Sequence, residues 1–181
     1  KKEKYDLWQI VGAYPAGWIG KNLSKYVPVF LRSHGDDIQK DKSIGYGLAL
    51  NSSIHKKISE TLNEVSHLVA LTKTVSDCFI DFEIDQSKIT EIPNGVDLNN
   101  FNQNVDKNKI KNKLGIHKNQ IMLLSVGRYH IKKGYEFIPE TIKILKERGF
   151  NIKWVIVGKS LSLLKNKFKE SGVYNDVILL N

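Results

Sequence analysis

The sequence predicts two parallel α/β layers joined by a polar connector. Three observations predict this. Short apolar runs alternate with amphipathic segments along nearly the whole chain, which is the pattern of strands crossing over through helices. In the second half, strand, helix and strand follow one another within about 35 residues, the length of one βαβ unit. Between the halves, residues 96–119 are poor in apolar side chains and rich in Asn, Asp and Lys, as a domain boundary is.

In chain order, LWQIVGAY (7–14) and VPVFLRS (27–33) read as strands that end in turn-forming or polar residues. AYPAGWIGKNLSKY (13–26) joins them, with Tyr14 and Trp18 suited either to a cleft wall or to capping the core. A loosely amphipathic helix is expected over 44–62, a short buried strand over 67–72 and a helix over 74–82. The strand KITEIPNG (88–95) closes on a proline and an Asn-Gly turn. The connector holds one short helix, KNKIKNKLG. IMLLSV (121–126) is continuously apolar, as a strand covered on both faces is. Helix 135–148 should bury Ile138, Ile142 and Leu145, with Lys146 and Arg148 at its carbonyl end and Gly149 as its stop. A strand over 153–158, a helix over 161–171 and a last strand over 176–181 complete the second layer. A third strand without a closing helix reads as a truncated sheet. The predicted divisions are 1–96, a linker over 97–118, and 119–181.

With 181 residues, the chain can bury a real core in one large or two small domains. Its single cysteine, Cys78, precludes an internal disulfide framework and fits a reducing compartment. No apolar run approaches the roughly 20 residues that span a bilayer, and KKEKYDLWQI lacks the apolar core of a signal peptide. The abrupt start leaves open an origin in a longer chain. The net charge of +9 is unevenly spread: residues 1–92 hold 12 Lys+Arg and 12 Asp+Glu, and residues 93–181 hold 16 and 7. All of the excess lies in the second half, where it would draw nucleic acid, an anionic membrane face or a phosphorylated small molecule.

The stretch LLSVGRYHIKKGYEFIPETIKIL (123–145) puts that charge at a strand end. In open α/β sheets the carboxyl ends of strands face the ligand crevice. Gly127 permits close backbone approach, Arg128 offers a planar fork to phosphate oxygens, and Lys133 adds a mobile point charge. Gly134 opens the next helix, whose unpaired N–H groups attract anions. Together these form a candidate diphosphate site, against which stands the plainer reading of a solvated basic loop. Glu136, in the first turn, is available to answer the helix dipole or pair with Lys132. Neither the G-x-G-x-x-G nor the G-x-x-x-x-G-K-[ST] fingerprint occurs.

VPVFLRSHGDDI is the other conspicuous strand end. His34, Gly35, Asp36 and Asp37 should stand at a rim, where the histidine and acids could orient a hydroxyl or a sugar. The alternative is a packed or loop-capping histidine. His34, His55 and His67 lack metal-ligand spacing and no G-x-S-x-G elbow is present, so zinc and serine-hydrolase chemistry are poorly supported.

Taken in order, VPVFLRSHGDDI, LVALTKTVSDCFIDFEIDQSKITEIPNGVDLNNF and SVGRYHIKKG resemble the retaining glycosyltransferases of the glycogen-synthase-like, or group 1, family. The resemblance implies part of a GT-B type fold, with two Rossmann-like domains: an acceptor-side domain ending near residue 96 and a nucleotide-sugar domain beginning near 119. It implies transfer of a sugar from a nucleoside-diphosphate sugar to a glycan or lipid-linked acceptor, in the cytoplasm or peripherally at the inner face of the membrane. Arg128 and Lys133 match the basic pair that neutralises the donor diphosphate, flanked by Gly127 and Gly134. His34 matches a catalytic histidine near the sugar, Gly35, Asp36 and Asp37 accompany it, and Asn94 and Gly95 match the turn that leaves the first domain. No cofactor, metal or nucleic acid is implied. The family's early glycine-rich loop would lie upstream of Lys1 and its acidic E-x7-E pair beyond Asn181, so the chain by itself is expected to be catalytically silent. Two alternatives stand beside this. One is a sugar-nucleotide epimerase of the same architecture. The other is a basic nucleic-acid-binding module using Lys107, Lys109, Lys111, Lys113 and Lys118, although aromatic interleaving is missing.

Overall fold

A computed structural model describes residues 4–101 and 105–181. Residues 102–104 of the expected linker, and the first three residues, lie outside the described residues. The chain divides into two compact units, Lys1–Asp97 and Leu98–Asn181, each built on a parallel sheet as the sequence predicts.

The first unit carries β1 (Trp8–Val11), a single helical turn α1 (Trp18–Gly20), β2 (Val29–Arg32), α2 (Ser52–Glu64), β3 (His67–Ala70), α3 (Lys73–Ile80) and β4 (Ile89–Glu91). Strand order follows the chain, β1-β2-β3-β4, all parallel, with Ile10 opposite Leu31 and Leu31 opposite Leu68. Ile10, Val29, Leu31, Leu68 and Ala70 therefore share one face. They bury it with Ile58 and Leu62 of α2 and Val75 and Phe79 of α3. The opposite face, with Gln9, Phe30, Arg32 and Val69, borders an open cavity of about 290 Å³.

The helix expected over 44–62 starts only at Ser52. Upstream, Asp41 and Tyr46 form an antiparallel bridge, and Gly47 (φ +112) packs so closely that a Cβ there would lie 1.8 Å from the Gln39 carbonyl. Asn51 then caps α2, its side chain accepting from Ser53 N at 3.0 Å and Ile54 N at 3.1 Å. The connector 13–26 is helical turns rather than open loop, and Lys21 fastens it to α2 by donating to Glu60 (3.2 Å) and Glu64 (2.7 Å).

The second unit holds α4 (Lys107–Lys113), β5 (Ile121–Val126), α5 (Ile138–Glu147), β6 (Ile152–Val157), α6 (Lys165–Glu170) and β7 (Val177–Leu180). The sheet runs β5-β6-β7, parallel throughout. Ile138 and Ile142 of α5 and Phe168 beside Leu161 and Leu164 pack on Ile152, Ile156 and Val177. One expectation is corrected here. Among the described residues β5 is not covered on both faces, since Leu124 and Val126 are 58% and 72% exposed. β5 is the outer strand of the three described, and α5 and α6 pack on the side carrying Leu123, Trp154 and Ile156. A run of apolar residues thus marked a strand without revealing how many faces are covered.

Candidate functional site

The carboxyl ends of β5, β6 and β7 are laced together by main-chain bonds. Gly127 N donates to the Val157 carbonyl (2.8 Å), Tyr129 N to Lys159 (2.9 Å), and Gly158 N to Leu180 (2.8 Å). Gly158 sits so tightly against the turn that a Cβ would lie 2.0 Å from the Gly127 oxygen. This junction fixes where residues 127–134 leave the sheet. Sequence reading missed it, although the glycine ending the apolar run IKWVIVG, with Lys159 and Ser160 after it, was the available signal.

From there the turn is held by its own side chains. The buried Tyr135 donates its hydroxyl to the Gly127 carbonyl at 2.9 Å, and burial pushes its pKa up. Tyr129 donates to Glu136 at 3.0 Å, and that bond, helped by desolvation, raises the tyrosine's pKa. Glu136 is therefore engaged by a phenol. His130 Nδ1 accepts from Lys132 N (3.2 Å), closing a helical turn that ends at Gly134 in the left-handed region (φ +67). The following helix begins in a tight turn at 135–137, with Pro139 inside its first turn. Lys133's aliphatic stem lies over Gly127, with its terminal carbons 3.6 and 3.9 Å from where a Cβ would stand. Arg128 and Lys133 are exposed on this one turn. Among the described residues, neither lies within salt-bridge distance of a carboxylate. Two cations without acidic partners, on a turn fixed at both ends, suit an anion with several oxygens.

The ends of β1 and β2 are organised in the opposite sense. His34 and Asp36 are exposed. Asp37, grouped with them at the rim by sequence, is instead buried at 3% exposure. Its Oδ2 accepts from Ala13 N at 2.6 Å; its Oδ1 accepts from the Ser33 hydroxyl and from Gly35 N at 3.1 Å. The adjacent acids look alike in sequence, and the choice between them rests on a donor 24 residues away. Asp37 is thus a buried anchor and does not line a cleft.

Asn94 and Gly95 lie in the exposed segment after β4, where Asn94 accepts from the Arg32 guanidinium beside the cavity described above. Tyr14 and Trp18 are half-buried, and Lys57 lies over both rings, 5.6 and 4.6 Å from their centroids. Among the described residues no group of three or more His, Cys, Asp or Glu is placed to hold a metal ion, and no helix is long and apolar enough to cross a membrane.

Residues 1–100 match the model of Glycosyltransferase Family 4. The chain belongs to that family. Residues 106–181 of this family 4 chain also match the model of Glycosyl transferases group 1. A curated relative is UDP-Gal:alpha-D-GlcNAc-diphosphoundecaprenol alpha-1,3-galactosyltransferase from Escherichia coli. It is 34% identical over 84 residues, covering 45% of this chain and 22% of that protein. Anabaena Alr3699/HepE, solved in complex with UDP and glucose, shares the fold with a TM-score of 0.77 at 17% identity, over 97% of this chain and 47% of its own. Sucrose-phosphate synthase from Thermosynechococcus elongatus gives 0.76 at 14% identity, over 99% and 46%. UDP-N-acetylglucosamine 2-epimerase from Rickettsia bellii gives 0.52 at 16%, over 99% and 47%. The fold is thus that of a GT-B protein with two Rossmann-like layers, and the chain spans about half the length of these solved relatives.

Proposed function

We propose that this chain supplies the donor-diphosphate site and one wall of the sugar site of a retaining glycosyltransferase. The observation that carries the reading is the turn 127–134. Among the described residues Arg128 and Lys133 stand on it without an acidic partner, the Lys133 stem lies over Gly127, and the turn is braced by Tyr135 and the Gly158 junction. The names of two relatives support the ligand class, since one uses UDP-galactose and another was solved with UDP. The donor is then a nucleoside-diphosphate sugar, and the acceptor a glycan or lipid-linked saccharide. We assign 1–96 to the acceptor side and 119–181 to the donor side. We place the protein in the cytoplasm or, for a lipid-linked acceptor, peripherally at the inner face of the membrane.

In the reaction, the bond from the anomeric carbon to the diphosphate oxygen breaks and its electrons pass to the diphosphate. The acceptor hydroxyl bonds to the same carbon on the same face and passes its proton to the departing diphosphate oxygen. Arg128 and Lys133 stabilise the charge that grows on the leaving group, which lowers the barrier only so far as they bind it better than the ground state. His34 is the candidate group beside the sugar. A diphosphate held alone gives no acceleration, and misplacing the sugar by about 1 Å costs roughly 10²-fold. The 181-residue chain is accordingly expected to bind donor without transferring it.

The test is an assay of the chain and of the intact protein with a panel of nucleotide sugars and a cell-derived acceptor fraction. Transfer by the intact protein alone, lost in Arg128→Ala or Lys133→Ala, supports the reading. Interconversion of donor without acceptor would move it to a sugar-nucleotide epimerase, which the fold likeness to the Rickettsia enzyme keeps as the second reading.

A further inference from the structure

We propose that Asp37 is a positioning residue that sets the place of the His34 imidazole. The inference rests on the assignment of His34 to the sugar site. His34 and Asp36 are the exposed members of a segment otherwise buried: Ser33 is at 0% and Asp37 at 3% exposure, and Gly35 is buried between them. One carboxylate binds both sides of it. Oδ1 takes the Ser33 hydroxyl before the histidine and Gly35 N after it, while Oδ2 takes Ala13 N from the turn that follows β1. The segment is then locked from outside, with Gln39 N donating to the Gly35 carbonyl at 2.7 Å and Leu48 N to the Asp36 carbonyl at 2.8 Å. The backbone on either side of His34 therefore has no freedom that does not break a bond to Asp37 or to this frame.

Chemistry explains why the anchor is an aspartate. Three donors converge, and a carboxylate, unlike an amide, offers acceptor sites on both of its terminal atoms. Asparagine has the same shape but presents an NH₂ to one set of donors. Asp37→Asn must therefore leave either the Ala13 or the Gly35 N–H without its acceptor, while the Ser33 hydroxyl can turn to accept instead, with almost no change in volume. Glutamate is one methylene too long for a site this buried.

The experiment compares Asp37→Asn, His34→Ala and the double variant in the intact protein, using UDP-galactose as donor at a temperature where circular dichroism shows each variant folded. Asp37→Asn should lower kcat by about 10- to 100-fold, with the donor KM changed by less than about threefold. In the His34→Ala background the same substitution should lower the rate by less than about twofold, because it acts through the residue already removed. Amide exchange at Ala13 or Gly35 should rise in Asp37→Asn. A wild-type rate in Asp37→Asn despite released amides would overturn the proposal, as would an equal loss with and without His34. A wild-type rate in His34→Ala would instead remove the assignment of His34, and the proposal with it. Should Asp37→Asn not fold, Ser33→Ala removes one of the three donors alone, and a kcat fall of about threefold or more is the supporting result; none would overturn the proposal.

Discussion

The two units bring strand ends to the surface in the same topological way and equip them in opposite ways. At the ends of β1 and β2 a buried carboxylate is satisfied by three donors of its own unit, with His34 and Asp36 exposed beside it. At the ends of β5 and β6 the side chains that brace the turn are neutral or already engaged, namely Tyr135, Tyr129 with Glu136, and the Gly158 junction. The cations Arg128 and Lys133 stay without acidic partners among the described residues. The contrast separates internal anchoring from exposed charge. In the first unit charge holds the backbone, whereas in the second the backbone is held so that charge can be offered outward.

The sharpest way to break the comparison is Gly158→Ala. A methyl 2.0 Å from the Gly127 oxygen forces the ends of β5 and β6 apart, because backbone cannot yield as a side-chain tip can. The expected loss is about 3 kcal/mol or more in chemical denaturation, with faster amide exchange across β5–β7. Asp37→Ala comes next. It leaves buried donors without an acceptor and should cost about 2–4 kcal/mol, read as a lower denaturation midpoint with exchange rising at Ala13 and Gly35.

Arg128→Ala and Lys133→Ala should change stability by less than about 0.5 kcal/mol, as exposed substitutions generally do. Their effect belongs to ligand binding, so a large fall in midpoint would show that the cations hold the fold. The smallest effect is the Lys21 clamp. Bonding to Glu64 first, then Glu60, raises the Lys21 pKa despite its partial burial, and the Lys21 bond lowers that of Glu60. The lysine's contribution is full below its unfolded pKa and lost as pH rises through the folded one. The Glu60 contribution is present above its unfolded pKa and lost as pH falls through the lowered folded one, on the acid side of the ordinary glutamate range. Lys21→Met should therefore flatten a slight acid-side slope in midpoint against pH and leave the neutral value nearly unchanged.

Much of the fold was legible because strand cores announce themselves. IMLLSV became β5 residue for residue, and the other strands fell within a few residues of their apolar runs. The misplaced start of α2 has a specific cause. Gly45 and Gly47 lie in a run that counts as loosely amphipathic, but the close packing of Gly47 on Gln39 is tertiary and invisible locally. At the candidate site, Arg128, Lys133 and His34 stand exposed at strand ends, where their residue types drew notice in the sequence beside the plainer readings of a solvated basic loop and a loop-capping histidine. Their supports were not legible. Asp37 depends on an amide 24 residues away, and Gly158 matters through a neighbouring strand 31 residues earlier in the chain, so no window around either residue contains its reason.

The most direct test of the central claim, that the 127–134 turn holds a nucleoside diphosphate, is an NMR titration of the ¹⁵N-labelled chain with UDP. Wild type should show saturable amide shifts centred on Gly127–Gly134 and the Gly158–Lys159 neighbours, weakened by added salt. In Arg128→Ala and Lys133→Ala these shifts should be lost or moved to at least about tenfold higher ligand, with the rest of the spectrum unchanged. Shifts remote from this turn, or none at millimolar UDP, would contradict the account.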